Sequence, residues 1–517
     1  MTTCPRELNY AQYISHINAD RRDKIAYIDG RRTLSYGQLA DHSARFAGLL
    51  NELGMRREER ALLLMRDTVD WPIAFLGALH AGVVPVAVNT LLTPDDYAYM
   101  LEHSRAQAVF VSASLLGTLQ QAMERCKHEV RHIIVAEPSQ PLADPLIDFS
   151  RHTQVAPTPA VKTRADEIAF WLYSSGSTGQ PKGVVHSHGN MWSTVDLYGK
   201  PILGIQESDI VFSAAKLFFA YGLGNALTFP LSVGATVILM DERPTPQAIF
   251  KRLTEFRPTV FCGVPTLYAS MLAAKDLPDK EHVAIRVCAS AGEALPKDLG
   301  DRFTEHFGCY ILDGIGSTEM LHIFLSNQVG QLRYGTTGKP VPGYEVELRD
   351  EHGAPIPAGT IGDLYIKGPS AALMYWNNQQ KTRNTFLGEW LKSGDKYVCD
   401  EDGYYTYAGR SDDMIKVSGQ YVSPVEVENI LSRHEAVLEA AVIGVPDADG
   451  LIKTTAYVVL RPGQEPSDAI KTALQSYVKE HLAPFKYPRQ IRFTEELPKT
   501  ATGKIQRFRL RQMETQP

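Results

Sequence analysis

The six cysteines, Cys4, Cys126, Cys262, Cys288, Cys309 and Cys399, are strewn over the whole chain, and no two of them make a C-x-x-C pair. Zinc ribbons, dithiol redox centres and disulfide scaffolds need clustered thiols, so the spacing speaks against all three and reduced, buried cysteines are expected. Charge of one sign is missing too. Lys plus Arg number 53 against 59 for Asp plus Glu, a formal net charge of -6, which gives no global attraction to nucleic acid or to an anionic membrane. The most apolar window, 72–88, is broken by His80 and Pro85 and falls short of the roughly 20 residues that span a bilayer. It reads as a core helix running into a buried strand. The N-terminal residues carry no basic stretch ahead of an apolar one, so a secretory leader is not expected and a cytoplasmic location is. A Walker-type G-x-x-x-x-G-K-[ST] run is absent, as are internal repeats and low-complexity segments.

What is present is an alternation of helical and strand patterns over 517 residues, too long a chain for one ordinary core. Helix 36–53, strand 60–64, helix 71–81 and strand 83–88 follow one another, and β-rich runs recur at 108–111, 133–135, 168–172, 236–240, 259–262 and 286–289. Parallel strands flanked by helices are expected, hence an α/β class. Residues 138–164 turn Pro-rich and read as a surface connection. From about Gly343 shorter alternating strands, 345–348, 362–366 and 403–408, point to a small β-rich subdomain. The chain then starts again with helix 424–432, strands 438–445 and 454–460, and helix 468–482, a compact α+β unit of ordinary domain size. The expectation is a large N-terminal domain of α/β subdomains plus the β-rich part, 1–411, followed by a small α+β domain, 412–517.

Residues 173–183 read Y-S-S-G-S-T-G-Q-P-K-G straight after strand 168–172. Ser174, Ser175, Gly176, Ser177, Thr178 and Gly179 offer amides and hydroxyls at close range to phosphate oxygens, and Lys182 adds a positive charge for leaving pyrophosphate. The loop is expected to lie between a buried strand and a helix.

This loop, with the V-V-H-S-H that follows it, resembles the signature of the adenylate-forming enzymes, the family of acyl- and aryl-CoA synthetases, luciferases and peptide-synthetase adenylation domains. Other runs resemble that family's motifs in the same order. S-A-G-E-A-L-P brings Ala291, Gly292 and Glu293, and D-G-I-G-S-T-E brings Asp313, Gly314, Ile315, Gly316, Ser317, Thr318 and Glu319. The resemblance implies that these contact AMP, Thr318 touching a phosphate and Glu319 holding Mg²⁺. Ile315 departs from the family's usual aromatic residue and offers adenine an aliphatic contact. By the same resemblance Asp395 and Arg410 grip the ribose, Asp412 is the hinge of G-R-S-D-D-M-I-K-V-S-G, and Gly419 lies near the pantetheine channel. L-P-K-T-A-T-G-K ends on Lys504, which the resemblance carries to the acyl-phosphate region. Lys504, Glu319 and Thr178 are therefore the catalytic candidates. ATP, Mg²⁺ and coenzyme A are the implied co-substrates, with no prosthetic group, and a homodimer is the implied assembly. Because Lys504 must enter for adenylation and withdraw for thiol attack, a mobile C-terminal domain turning about Asp412 is expected.

The runs K-L-F-F-A-Y-G-L-G-N (216–225) and M-L-H-I-F-L-S-N (320–327) resemble the benzoate:CoA ligase branch of the family, as does V-N-T-L-L-T (88–93). Phe219, Ala220, Tyr221, Gly316 and Ile323 would then form a flat apolar slot, with His322 the side chain expected to titrate near neutral pH. A small uncharged aryl acid suits such a slot. Benzoate and fluorobenzoates fit by size, while 4-hydroxybenzoate and 2-aminobenzoate stay open with Tyr221 or His322 as ring partners. The alternatives are another acid, such as cyclohexanecarboxylate or a medium-chain fatty acid, and a stand-alone domain that loads a carrier protein.

Overall fold

The computed structural model describes residues 3–174, 180–411, 413–417, 420–447, 451–499 and 505–515. They form two compact units that do not follow chain order: Met1–Tyr334 with Gly338–Glu345 and Lys367–Leu391, and Gly335–Thr337 with Val346–Ile366 and Lys392–Pro517. Asp412, the expected boundary and hinge, lies outside the described residues.

The first unit is built on two mixed sheets. One runs in the order Met374–Tyr375, Lys182–Ser187, Ile168–Ser174, Val84–Ala87, Arg60–Leu64, Ala108–Ser112, His132–Ala136 and Leu146–Asp148. From Ile168–Ser174 onward its strands pair in parallel, and the first two pair antiparallel. Its central strands, such as Ala61 to Leu64, are buried throughout, as continuous apolar runs covered on both faces must be. The other sheet runs Lys339–Pro340, Ile323–Ser326, Tyr310–Gly316, Val287–Ser290, Val260–Gly263, Ile210–Ser213, Thr236–Ile238, Ile25–Ile28 and Thr33–Ser35. Helix Asp70–Ala81 is buried on every side, stops at Gly82 in the left-handed region (φ 75°), and leads into Val84–Ala87; a helix with no polar face belongs inside a large core.

Two sequence expectations change. The chain leaving the phosphate loop does not enter a helix: Lys182–Ser187 returns antiparallel to Ile168–Ser174, with Ser174 opposite Lys182, and the helix starts only at His188, capped by the Ser187 side chain. Val184 and Val185, both fully buried, have the branched side chains that favour a pleated strand. Nor is 138–164 merely a surface connection. Leu146–Asp148 forms the edge of a sheet, and Phe149 and His152 are buried against Phe46, the two phenyl centroids 4.9 Å apart. A three-residue strand is too short to show a period in sequence.

The strands Ile361–Lys367, Trp390–Cys399 and Tyr405–Arg410, most of whose residues fall in the second unit, are neighbours in one small sheet. Further on, Val437–Pro446 and Ile452–Leu460 pair antiparallel, and Gln490–Phe493 joins the latter in parallel. Helices Pro424–Leu431 and Asp468–His481 bury Val427, Leu431, Leu474 and Val478 with Val442, Ala456 and Val458 of that sheet. This is the α+β unit expected from the sequence.

Candidate active site

Strand Tyr310–Gly316 ends where its side chains leave the core, and the next seven residues carry most of the predicted chemistry. Gly316 pairs with Ile323 on the returning strand; a Cβ at 316 would stand 2.6 Å from the His322 carbonyl oxygen, so only glycine lets the strands approach this closely. Between them, 317–322 fold into a turn with Leu321 at φ 64°.

That turn is gripped from outside by three consecutive carbonyls. His186 Nε2 donates to Thr318 O at 2.8 Å, Ala372 N to Glu319 O at 2.7 Å, and Ser370 Oγ to Met320 O at 2.8 Å. His186 stacks on Phe170 (5.2 Å, 19°). Burial pushes its pKa down to about 4, so the ring stays neutral and serves as a fixed donor. Within the turn, Ser317 Oγ accepts from Met320 N at 3.1 Å. Asn190 steadies the 369–371 segment by donating to the carbonyls of Pro369 and Ala371, 3.2 Å each.

The Glu319 carboxylate points toward Ser174. Its Oε1 accepts from Tyr375 OH at 2.7 Å and lies 3.5 Å from Ser174 Oγ, and Lys182 Nζ sits 4.8 Å from the centre of the Tyr375 ring. Ser174, Lys182 and Glu319, far apart in sequence, are thus gathered by the hairpin and the turn. Tyr375, on the two-residue strand Met374–Tyr375, is the member that sequence reasoning missed. Among the described residues no cluster of three or more His, Cys, Asp or Glu offers a metal cage. One carboxylate with a hydroxyl beside it fits Mg²⁺ that arrives with nucleotide phosphates, which supply the remaining oxygens.

Asp313 is 3% exposed, and burial pushes its carboxyl up to about 8, against the weaker pull of the Leu295 and Gly314 amides and the Ser290 hydroxyl. Gly314 and Ile315 pair with Ser326 and Leu325 of the returning strand. Ala291, Gly292 and Glu293 follow the neighbouring strand Val287–Ser290, with Gly292 at φ 98°.

Beyond the turn, the His322 ring is enclosed by Phe229 (4.5 Å), Tyr198 (5.1 Å) and Tyr221 (5.6 Å). The sequence expectation that it titrates near neutral pH fails: burial pushes its pKa down to about 3, the Tyr221 carbonyl raising it only slightly. Helix Ala220–Leu223 carries Ala220 and Tyr221, and Phe219, just before it, touches Phe218 with ring centroids 4.5 Å apart. His322, Ile323, Gly316 and Tyr221 therefore meet in one aromatic, uncharged region.

In the second unit Asp395 and Arg410 face each other across paired strands, with Arg410 Nη1 donating to Asp395 Oδ1 at 3.1 Å. Ser175, Gly176, Ser177, Thr178, Gly179, Asp412, Gly419 and Lys504 lie outside the described residues.

Residues 15–376 match the family described as AMP-binding enzyme, and 426–504 match the AMP-binding enzyme C-terminal domain. A benzoate–CoA ligase of Thauera aromatica is 55% identical over 497 residues, 95% of this chain and 93% of that protein. The crystal structure of a benzoate CoA ligase from Burkholderia xenovorans LB400 is 61% identical and superposes with a TM-score of 0.91 over 98% of this chain and 100% of that one. An anthranilate CoA ligase in complex with anthranoyl-AMP is 41% identical, TM-score 0.93, over 99% of this chain and 98% of that one.

Proposed function

This chain belongs to the AMP-binding enzyme family, and on that premise we propose that it is an AMP-forming ligase joining benzoate to coenzyme A. Its relatives in Thauera and Burkholderia, both benzoate CoA ligases, support the acid as well as the reaction. A carboxylate is a poor acyl donor, because its leaving group would be oxide. In the first half-reaction a benzoate oxygen bonds to the α-phosphorus of ATP as the bond to pyrophosphate breaks. In the second, the thiol sulfur bonds to the acyl carbon, AMP departs, and the thiol proton passes to solvent.

The observation that carries this reading is one turn with two ends. Glu319 stands at its start beside the hydroxyls of Ser174 and Tyr375, and the neutral, ring-enclosed His322 stands at its end. Phosphate chemistry and an uncharged aryl group are served by neighbouring residues of a rigidly held segment, which fixes the acid against the phosphate it attacks. Mg²⁺, when bound at Glu319 with the phosphates, neutralises their charge. Lys182 and the loop residues Ser174 to Thr178 take up phosphate oxygens, Asp395 and Arg410 take the ribose, and Lys504 reaches the acyl-phosphate region when the C-terminal domain turns about Asp412, with Gly419 lining the thiol's path. A cytoplasmic homodimer working in aromatic-acid breakdown completes the proposal; among the described residues no helix is long and apolar enough to cross a membrane.

The test is coenzyme A-dependent AMP formation from ATP and Mg²⁺ with benzoate, 4-hydroxybenzoate, 2-aminobenzoate, cyclohexanecarboxylate and octanoate, alongside Lys504→Ala. Benzoate is expected to give the highest kcat/KM and the variant to lose adenylation first. AMP formation with none of the five acids would overturn the enzyme reading itself.

A further inference from the structure

Among the described residues, the Asn225 amide at both ends and the Tyr221 hydroxyl are shut away from solvent without a hydrogen-bond partner, while the His322 ring has only the Tyr221 carbonyl near it and the Tyr198 hydroxyl has only the Ser326 hydroxyl, neither in good hydrogen-bonding geometry. Tyr198 and Asn225 are each 0% exposed. Leaving such a group unbonded costs about 1–3 kcal/mol, and buried polar side chains in native proteins nearly always find a partner.

These groups are clustered. Tyr198 lies on the π-helical turn Val195–Gly199 and Asn225 on a second π-helical turn, Gly224–Thr228, packed against the first. Single π turns recur at functional sites because the extra residue per turn pushes side chains out of helical register. Tyr221 lies on the short helix Ala220–Leu223, which leads straight into the turn that carries Asn225. Gly224, next to Asn225, runs so near the imidazole that a Cβ there would stand 2.3 Å from His322 Cδ2. The Asn225 amide is not needed to hold its own turn, since Tyr27 OH donates to Ala226 O at 3.0 Å and Tyr10 OH to Thr228 O at 3.4 Å.

We propose that Tyr198 and Asn225 form a polar floor beneath the aryl slot that reads an uncharged hydroxyl or amino substituent on the ring, with a bridging water in its place when the ring is unsubstituted. The proposal rests on the aryl-acid reading above and names the residues behind its specificity. Asn225 offers a donor and an acceptor, and each tyrosine hydroxyl either one, so the set satisfies a water, a phenol or an aniline nitrogen alike. A charged substituent finds no counter-charge among the four.

The experiment measures kcat/KM for benzoate and for the 2-, 3- and 4-isomers of hydroxy- and aminobenzoate in the parent, Asn225→Leu and Tyr198→Phe. The parent is expected to activate at least one substituted acid within about 100-fold of benzoate. For that acid, its kcat/KM relative to benzoate falls by about 10-fold or more in each variant, the worth of one lost hydrogen bond to a buried partner. Tyr198→Phe also serves where Asn225→Leu folds poorly, because the hydroxyl it removes has only the Ser326 hydroxyl near it within the protein. A parent that takes no substituted acid, or variants that lower both kinds of acid in the same proportion, overturn the polar floor while leaving the benzoate reading intact. Failure of the parent with benzoate itself removes the reading beneath.

Discussion

The Tyr375 hydroxyl donates to Oε1 of Glu319 at 2.7 Å, from a strand of two residues paired to Val184 and Val185 of the phosphate hairpin. The tyrosine thus ties the carboxylate to the same hairpin that carries Ser174 and Lys182. Removing the hydroxyl frees the carboxylate to swing, and a hydrogen bond to a charged group is worth about 1.5–3 kcal/mol. Tyr375→Phe is expected to lower the rate of adenylate formation by roughly tenfold or more and to raise the Mg²⁺ concentration needed for half-maximal rate, both read by pyrophosphate release. An unchanged Mg²⁺ requirement would mean that the phenol only packs.

Gly316 sets how closely the two strands around the Glu319 turn approach. The Cβ of alanine at 316 would meet three backbone atoms at the start of the returning strand, the carbonyl oxygen and carbon of His322 at 2.6 and 2.7 Å and the amide nitrogen of Ile323 at 2.9 Å, and none can rotate away. Gly316→Ala must displace the wall of the aryl slot. It is expected to raise KM for benzoate by about tenfold or more while costing on the order of 1–3 kcal/mol of stability, checked by steady-state kinetics and calorimetry. A variant with parental KM would show that 316 does not shape the slot.

How much of this was legible beforehand depended on the length of the signal. Strands 60–64 and 108–111 and helix 71–81 announce themselves by apolar runs long enough to have a period, and the structure has them as Arg60–Leu64, Ala108–Ser112 and Asp70–Ala81. Glu319, Ser174 and Lys182 stand out in sequence by motif, and the structure shows the hairpin and turn that gather them. Tyr375 escaped because a two-residue strand has no pattern, and its partner across 56 residues is set by tertiary pairing. Tyr198 escapes because a π turn looks in sequence like any helix, and Asn225, though it closes the 216–225 run, shows no role of its own there for the same reason. The expectation for His322 fails for a related reason: an imidazole's ordinary pKa says nothing of enclosure by Tyr198, Tyr221 and Phe229, which removes the solvent its charged form would need.

Asp313 makes stability depend on pH in a direction that can be worked out. Burial raises its carboxyl from 3.8 to about 8, so between those values the folded protein holds a proton that the unfolded chain has released. The favourable contribution is full below pH 3.8 and is lost as pH rises toward 8, at about 1.4 kcal/mol per pH unit for one group. His186, His188 and His322 are depressed by burial and act in the opposite sense, below their ordinary pKa. Comparison of Asp313→Asn with the parent cancels the histidines. The asparagine variant is expected to be the more stable at pH 8, with the gap narrowing toward pH 5, as followed by urea unfolding. A gap that does not narrow would mean that Asp313 is ionised and paired at neutral pH.

In the second unit one guanidinium joins three segments. Arg507 Nη2 donates to both Glu428 oxygens at 2.6 and 2.9 Å, its Nη1 lies 3.5 Å from Asp413, and Glu428 Oε1 also accepts from Val442 N at 2.7 Å. Helices Pro424–Leu431 and Arg507–Thr515 and strand Val437–Pro446 are therefore locked through a side chain only 13% exposed. The surrounding carboxylates hold its pKa above the ordinary arginine value despite burial. Replacing the arginine by methionine keeps much of the stem's packing but leaves Glu428 charged and enclosed, and breaking a buried pair from one side costs roughly 3–5 kcal/mol. Arg507→Met should unfold the second unit at a lower temperature than the parent, seen as a separate calorimetric transition. Glu428→Gln in the same background should recover part of the loss, because the orphaned charge is then gone while the Val442 amide keeps its acceptor. Equal instability of the single and double variants would show that the guanidinium acts by filling space and that its charge contributes nothing.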